Sequence, residues 1–165
     1  MILTILNLLI VSPILWVPLF FYGRKSRRMV KFCQRMARSE YQRTIYSYML
    51  LAIVLMFHAT YPELFRCHYG AYASTALAVC LISPKLTTRL LKGIRASHAV
   101  MAIIGFMALA NVFAPEMYTL GITLCYVLLA AVFYPSQAME DYVLTEPQYS
   151  NYEELEEETV KHYFA

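Results

Sequence analysis

Residues 44–61 read TIYSYMLLAIVLMFHATY, a run of 18 residues without an Asp, Glu, Lys or Arg side chain. An α-helix that crosses a bilayer takes about 20 mostly apolar residues, so this run predicts a transmembrane helix. Four further apolar runs cover residues 2–22, 64–83, 96–114 and 117–134. The run 64–83 is the weakest because Arg66 and His68 lie near its start, but both side chains are able to reach the polar interface if the helix begins there. The sequence therefore predicts about five transmembrane helices.

The composition of the chain favours the same interpretation. Of its 165 residues, 59% are hydrophobic and 15% are charged, and the mean hydropathy is +0.48. Soluble globular domains are about 45–50% apolar and about 25% charged. We therefore expect an all-α, polytopic membrane protein, and the residues outside the spans are too few for a soluble catalytic domain.

The basic residues are segregated along the chain, and their positions predict a topology. Eight of them follow the first apolar run: Arg24, Lys25, Arg27, Arg28, Lys31, Arg35, Arg38 and Arg43. Four more lie between the third and fourth runs: Lys85, Arg89, Lys92 and Arg95. Lys and Arg concentrate in cytoplasmic loops close to the membrane. We therefore expect the N-terminus outside and the C-terminus in the cytoplasm, and the short chain with its tight loops favours a bacterial inner membrane.

The two halves of the chain after Arg43 share a set of anchor residues at matching spacings. The anchors are His58, Pro62, Glu63, Gly70 and Pro84 in the first half, and Asn111, Pro115, Glu116, Gly121 and Pro135 in the second. Both halves begin inside and turn at Pro-Glu, so the repeat is parallel. A parallel repeat is related by an axis along the membrane normal, which predicts a pseudo-two-fold bundle of two helical hairpins with the N-terminal helix on its flank.

These patterns divide the chain into six segments. The first apolar run has no basic segment before it and no cleavage pattern, so we interpret it as an uncleaved anchor rather than a signal peptide. The segments are the anchor (1–22), a basic amphipathic cytoplasmic segment (23–43), the first hairpin (44–84), a basic cytoplasmic loop (85–95), the second hairpin (96–135) and an acidic cytoplasmic tail (136–165).

Polar residues near the predicted outer turns form a candidate site. They are His58, Glu63, Arg66, His68, Asn111 and Glu116. Two carboxylates close to one axis could bind a cation or a proton, because ionisable groups near a membrane-spanning segment are functional candidates. The alternative is structural: Pro followed by Glu is typical of a helix start, where the carboxylate faces the positive end of the helix dipole.

Motifs for metal binding, cofactor binding and catalysis are missing from the sequence. The four histidines and four cysteines have no metal-ligand spacing, and the cysteines contain no C-x-x-C pair. Phosphate-binding glycine loops and the common hydrolase and metalloprotease signatures do not occur. We therefore expect no metal, no cofactor and no enzymatic activity.

The basic segment has an amphipathic pattern. Met29, Phe32, Cys33, Met36, Ala37 and Tyr41 fall at helical spacing. The cations predicted to contact anionic lipid headgroups are Arg24, Lys25, Arg27, Arg28, Lys31, Arg35 and Arg38. Such contacts are worth about 1 kcal/mol per basic residue. Nucleic-acid binding lacks a supporting motif here, so we expect lipid as the partner of this helix.

The acidic tail is complementary in charge to the basic segment. Residues 136–165 hold eight acids and Lys161, a net charge of −7, whereas residues 23–43 hold eight cations and Glu40, a net charge of +7. The tail either docks on the basic segment or stays solvated as a charged disordered stretch. Its candidate partner-binding residues are Tyr149, Tyr152, Glu153, Glu154, Glu156, Glu157 and Glu158.

Two functions fit this sequence. The first is a protein without enzymatic activity that binds other membrane proteins, either as an accessory subunit of a membrane complex or as a small inhibitor of the immunity or exclusion type. The second is a small oligomeric transporter or channel for a cation or small solute, with the outer polar residues at its vestibule. The apolar middle of every predicted span favours the first, because transport sites in repeat-built carriers lie near the bilayer midplane.

Overall fold

The computed structural model describes residues 17–18, 20, 27–61, 69–137 and 139–141. Within these residues the chain is 90% helical and contains no strand. The all-α class predicted from the sequence is confirmed. The run 2–22 lies outside the described residues except for positions 17, 18 and 20, which are helical.

The bounds of six helices are defined in the described part of the chain. They are α1 (Arg27–Arg38), α2 (Glu40–Thr60), α3 (Tyr69–Leu81), α4 (Pro84–Arg95), α5 (His98–Phe113) and α6 (Tyr118–Val132), with a 3₁₀ turn at Pro115–Met117. Serine side chains begin two of them: Ser39 accepts a hydrogen bond from the Gln42 backbone N–H, and Ser97 accepts one from that of Val100, both at 3.4 Å. Each satisfies a backbone donor that has no partner within its helix.

Four of the predicted spans contain a helix, but the helices differ in length. With a rise of about 1.5 Å per residue, the 21 residues of α2 extend about 31 Å, whereas α3, α5 and α6 extend about 20–24 Å. Of the described helices, α2 is long and apolar enough by itself to cross a bilayer. The pair α4–α5 qualifies as a second span only if its two parts are taken together, and they are bent by 104°.

The segment 85–95, predicted as a loop, is helical. In α4 the residues Thr87, Leu91 and Ile94 are buried, while Lys85 and Arg89 are exposed. The buried residues recur every three or four positions, which places them on one face of a helix. Lys85 and Arg89 therefore mark the outer face of an amphipathic helix, whereas Arg95 at its C-terminal end is buried.

Helix α6 lies at the centre of the fold and contacts α2, α3, α4 and α5. Its buried residues include Thr123, Tyr126, Val127 and Ala131. The packing is not two-fold symmetric: α5 packs closely along α6, whereas α2 and α3 pack much more loosely on each other. The packing therefore departs from the two-fold symmetry that the repeat predicts, because one helix of the second hairpin contacts four of the other helices.

Two glycines of the repeat lie at close backbone contacts. A Cβ atom on Gly70 would lie 2.5 Å from the carbonyl oxygen of Glu116, and one on Gly121 would lie 2.6 Å from the backbone nitrogen of Val112. Gly70 of α3 faces the turn between α5 and α6, whereas Gly121 of α6 faces the last turn of α5. A side chain has no room at either position.

Candidate functional site

The predicted outer cluster is divided in the structure. Glu63, Arg66 and His68 lie outside the described residues. His58, on α2, is half-buried, with Nδ1 at 2.8 Å from the carbonyl oxygen of Val54 and Nε2 at 3.0 Å from Oγ of Ser74 on α3. His58 therefore connects two helices of the fold.

The second-half counterparts of these residues are positioned differently. The Asn111 side chain donates a hydrogen bond of 2.8 Å to the carbonyl oxygen of Met107, one turn earlier in its own helix. Glu116 is exposed in the 3₁₀ turn that precedes α6. The hydrogen bonds of His58 and Asn111 thus go to different partners, and Glu116 occupies the helix-start position that the Pro-Glu pattern favours.

The start of α2, the end of α4 and the chain after α6 meet in an ion-pair cluster. Lys92 Nζ lies 2.8 Å from Glu140 Oε2, and Arg43 Nη1 lies 3.6 Å from Glu140 Oε1. Arg43 Nη1 also donates hydrogen bonds to the carbonyl oxygens of Met36 and Ala37, at 3.1 and 2.9 Å. A cation at the C-terminal end of α1 satisfies carbonyls that have no partner within the helix and complements the helix dipole. We call Arg43, Lys92 and Glu140 the basic-end cluster.

Helix α1 turns its apolar side towards the protein. Met29, Cys33, Met36 and Ala37 are buried, and the apolar group that contains Met29 and Cys33 includes Phe133 and Met139. Burial raises the pKa of the Cys33 thiol to about 12. The face expected to lie in lipid is therefore covered by the chain itself, and Tyr41, which was assigned to it, is an exposed residue of α2.

The cations of α1 are on its other side. Arg28, Lys31, Arg35 and Arg38 are exposed, so they remain able to contact anionic groups. Arg24, Lys25 and the side chain of Arg27 lie outside the described part of the chain. The same holds for the candidate tail residues between 149 and 158; of the tail acids, Glu140 and Asp141 are described.

Three cavities lie at or near the basic end. One of about 520 Å³ is lined by polar residues of α2 and α4, among them Glu40, Arg43, Lys85 and Lys92. A second, of about 300 Å³, is bounded by apolar side chains of α1, α2 and α6 together with Pro18. A third, of about 420 Å³, lies between α1 and α2, and Arg28, Lys31 and Arg35 are in its wall. Volumes of about 300–1,000 Å³ are usual for ligand pockets.

Sequence reasoning missed two partners in these sites, Ser74 and Glu140. Ser74 lies within an alanine-rich stretch. Whether its hydroxyl reaches His58 depends on how α3 is rotated relative to α2, which the sequence does not give. Glu140 is the first of the tail acids, and the charge complementarity between tail and basic segment was the signal that could have identified it. Its contact with Lys92 depends in addition on α4 being a helix.

In the described residues, no group of three or more His, Cys, Asp or Glu side chains is arranged to hold a metal ion. Comparison of the chain with protein-family models, curated proteins and solved structures gives no match.

Proposed function

We propose that this chain is a polytopic integral membrane protein that has no enzymatic activity and acts by binding other membrane proteins. It has about five membrane-crossing segments, with the N-terminus outside and the C-terminus in the cytoplasm. Its role is that of an accessory subunit of a membrane complex or of a small inhibitor of the immunity or exclusion type.

The observation that carries the proposal is the outward exposure of apolar helices. Of an 18-residue apolar stretch of α2, only 22% is buried inside the fold. Large apolar side chains of this helix, such as Leu55 and Met56, are exposed. Contiguous exposed apolar surfaces on this scale mark sites of membrane or protein interaction. Such a surface is stable when lipid or a partner helix covers it.

Helix α5 offers the most prominent surface of this kind. Among its 16 residues, Ala108 is the one that is buried, whereas Phe106 and Phe113 are 74% and 78% exposed. Phe106 and Phe113 are seven residues apart on one face, with the exposed Ala99, Ala102 and Ala110 between and beside them. Large and small residues on one face allow a partner helix to pack closely, which is what drives helix association in lipid. We therefore assign partner binding to this face.

The position of the charges supports the proposed orientation. The basic helices α1 and α4 are joined at one end of the fold through the basic-end cluster. A concentration of Lys and Arg at one end is typical of the cytoplasmic side of a membrane protein. Glu140, the first acid of the tail, lies at the same end, which supports contact between the tail and a cytoplasmic part of a partner.

The test is to extract the tagged full-length chain from its native membrane in mild detergent and to measure the mass of the intact complex. We expect foreign subunits in fixed stoichiometry. The double substitution Phe106→Ala/Phe113→Ala is expected to remove them, because it deletes the packing surface of α5. The matched control, Leu55→Ala/Met56→Ala, removes exposed apolar residues from α2 and is expected to retain them.

The opposite result is equally informative. A homo-oligomer without foreign subunits would contradict the proposal and support a small oligomeric transporter or channel for a cation or small solute. In that case Glu63→Gln combined with Glu116→Gln is expected to abolish flux in reconstituted vesicles. Loss of the partner in both double variants would contradict the assignment of α5 as the binding face.

A further inference from the structure

We propose that α1, α2 and α6 form a site for one anionic phospholipid, with its phosphate at Arg28, Lys31 and Arg35 of α1 and one acyl chain inserted between the helices. This inference is independent of the proposed binding of other membrane proteins. It also differs from a general attraction of basic residues to the membrane surface, because it requires a defined cavity with a polar and an apolar part.

The apolar part is the cavity of about 300 Å³. Met29 and Phe32 of α1, Leu50 and Ile53 of α2 and Leu129 of α6 are in its wall. The Tyr46 hydroxyl, which also lies at this cavity, donates a hydrogen bond of 3.1 Å to the carbonyl oxygen of Ala130. A polar ligand would find few hydrogen-bond partners in this cavity. A hydrocarbon chain gives up no hydrogen bonds on entering it and removes apolar surface from water.

The polar part is the cavity of about 420 Å³ beside it. Arg28, Lys31 and Arg35 are spaced three and four residues apart, so they lie along one face of α1, and all three are exposed at this cavity. Gln42 of α2 adds an uncharged polar side chain to the wall. No acid of the described residues forms an ion pair with these three cations. The cavity therefore suits an anionic group such as a phosphate.

The two cavities are adjacent, and this adjacency is what points to the ligand. Phe32, Tyr46 and Met49 belong to the walls of both. A ligand that fills both must have an anionic head directly joined to an apolar chain. A free phosphate ion fills the basic cavity alone, and a neutral hydrocarbon fills the apolar one alone. Basic pockets between membrane helices on the cytoplasmic side are known to bind lipid headgroups.

The packing of α1 excludes the simpler alternative in which this helix lies by itself in the membrane–water interface. An interfacial helix buries its apolar face in the lipid, but Met29, Cys33 and Met36 are buried in the protein. The backbone that carries these cations is therefore held against α2. Fixed positions favour one bound lipid over a diffuse layer of lipids.

The experiment uses the purified full-length chain in mild detergent, exposed to an equimolar mixture of phosphatidylglycerol and phosphatidylcholine. Native mass spectrometry then counts the lipids retained per chain. We expect one phosphatidylglycerol, with phosphatidylcholine largely absent. A millimolar excess of inorganic phosphate is expected to leave this lipid bound, because the free ion gains nothing from the apolar cavity.

Two kinds of variant test the two parts of the site. The triple variant Arg28→Gln/Lys31→Gln/Arg35→Gln is expected to weaken lipid retention about 100-fold, because each lost cation removes about 1 kcal/mol of attraction to the headgroup. The charge-matched control, Arg38→Gln/Lys85→Gln/Arg89→Gln, is expected to weaken it less than about tenfold, since long-range attraction is screened. Ile53→Phe, which narrows the apolar cavity without a change of charge, is expected to reduce retention while circular dichroism shows an intact helical fold.

Several outcomes would overturn the site. Equal retention of the two lipids would remove the role of the headgroup charge, and equal losses in the two triple variants would reduce the effect to general electrostatics. Displacement by inorganic phosphate would mean that the basic cavity binds a free anion. Unchanged retention in Ile53→Phe would show that the acyl chain lies elsewhere.

Discussion

At the scale of single residues, His58 illustrates how a candidate site residue becomes a packing residue. A carbonyl oxygen accepts hydrogen bonds and cannot donate them, so Nδ1 of His58 donates to Val54. In the neutral ring Nε2 is then an acceptor, 3.0 Å from the Ser74 hydroxyl. The single proton of that hydroxyl is shared between Nε2 and the carbonyl oxygen of Ala71, to which the hydroxyl donates at 3.1 Å. Both ring nitrogens of His58 are thus engaged within the fold.

We predict that Ser74→Ala lowers the free energy of unfolding by about 1 kcal/mol, because it leaves Nε2 of His58 half-buried without this partner. The control is Thr75→Ala at the next position, whose hydroxyl bonds to the same carbonyl of Ala71 but whose side chain is exposed. Reversible unfolding in detergent, followed by circular dichroism, measures both variants. Equal losses in Ser74→Ala and Thr75→Ala would contradict the role given to His58.

The sequence pointed to His58 because a histidine in an apolar run is unusual, but it could not supply its partner. Ser74 is 16 residues further along the chain, and their contact depends on the rotation of α2 and α3 about their axes. Asn111 was paired with His58 through the repeat. Its amide instead bonds to Met107 within α5, a local option that is open to a polar side chain in any helix.

At the scale of elements, the chain uses one arrangement twice: a basic amphipathic helix, a serine cap and an apolar helix. Helix α1 ends at Arg38 and is followed by Ser39, and α4 ends at Arg95 and is followed by Ser97. The sequence identified α1 from its apolar spacing. It did not identify α4, because Pro84 and four cations in a short stretch resemble a connection. Pro84 in fact occupies the first turn of the helix, where a missing backbone donor costs little.

The glycines provide a test at this scale. We predict that Gly70→Ala and Gly121→Ala each lower the free energy of unfolding by about 1–3 kcal/mol, because the new Cβ atoms would meet backbone atoms that cannot move aside. Gly93→Ala is the control: its Cβ would have nothing within 4 Å, and alanine favours the helix by about 0.5–1 kcal/mol. Unfolding in detergent distinguishes the sign of the effect. A stabilised Gly70→Ala or Gly121→Ala would refute the close backbone contact at the substituted glycine.

At the scale of the whole molecule, the segregation of charge along the chain becomes a segregation in space. The sequence predicted that the two basic segments and the tail share one side of the membrane, and the structure joins α2, α4 and the chain after α6 through Arg43, Lys92 and Glu140. The asymmetric packing of the helices was not predictable from the repeat. Matching turns fix where hairpins reverse, but side-chain packing decides which helix lies at the centre.

A double-mutant cycle tests the basic-end cluster. We predict a coupling of about 0.5–1.5 kcal/mol between Glu140→Gln and Lys92→Gln, reduced by high salt because the side chain of Lys92 is 40% exposed. The control cycle pairs Glu140→Gln with Lys85→Gln, since Lys85 lies at the same cavity as Lys92 but forms no ion pair with Glu140 among the described contacts. A coupling as large for Lys85 as for Lys92 would mean that the cluster acts through general charge alone.

The bend of 104° between α4 and α5 has a consequence for how deeply the protein is immersed. In the proposed orientation α5 runs across the bilayer, so α4 lies almost flat along its cytoplasmic face. Helix α5 extends about 24 Å, whereas the hydrocarbon core of a typical bilayer is about 30 Å thick. Short spans are accommodated by thinning of the surrounding bilayer, at a cost that sorts proteins among membranes of different thickness. Because α4 lies on the headgroups, it fixes the cytoplasmic end of α5 at the membrane surface. The bilayer beside α5 is then expected to become thinner, and the protein is expected to concentrate in thin membranes.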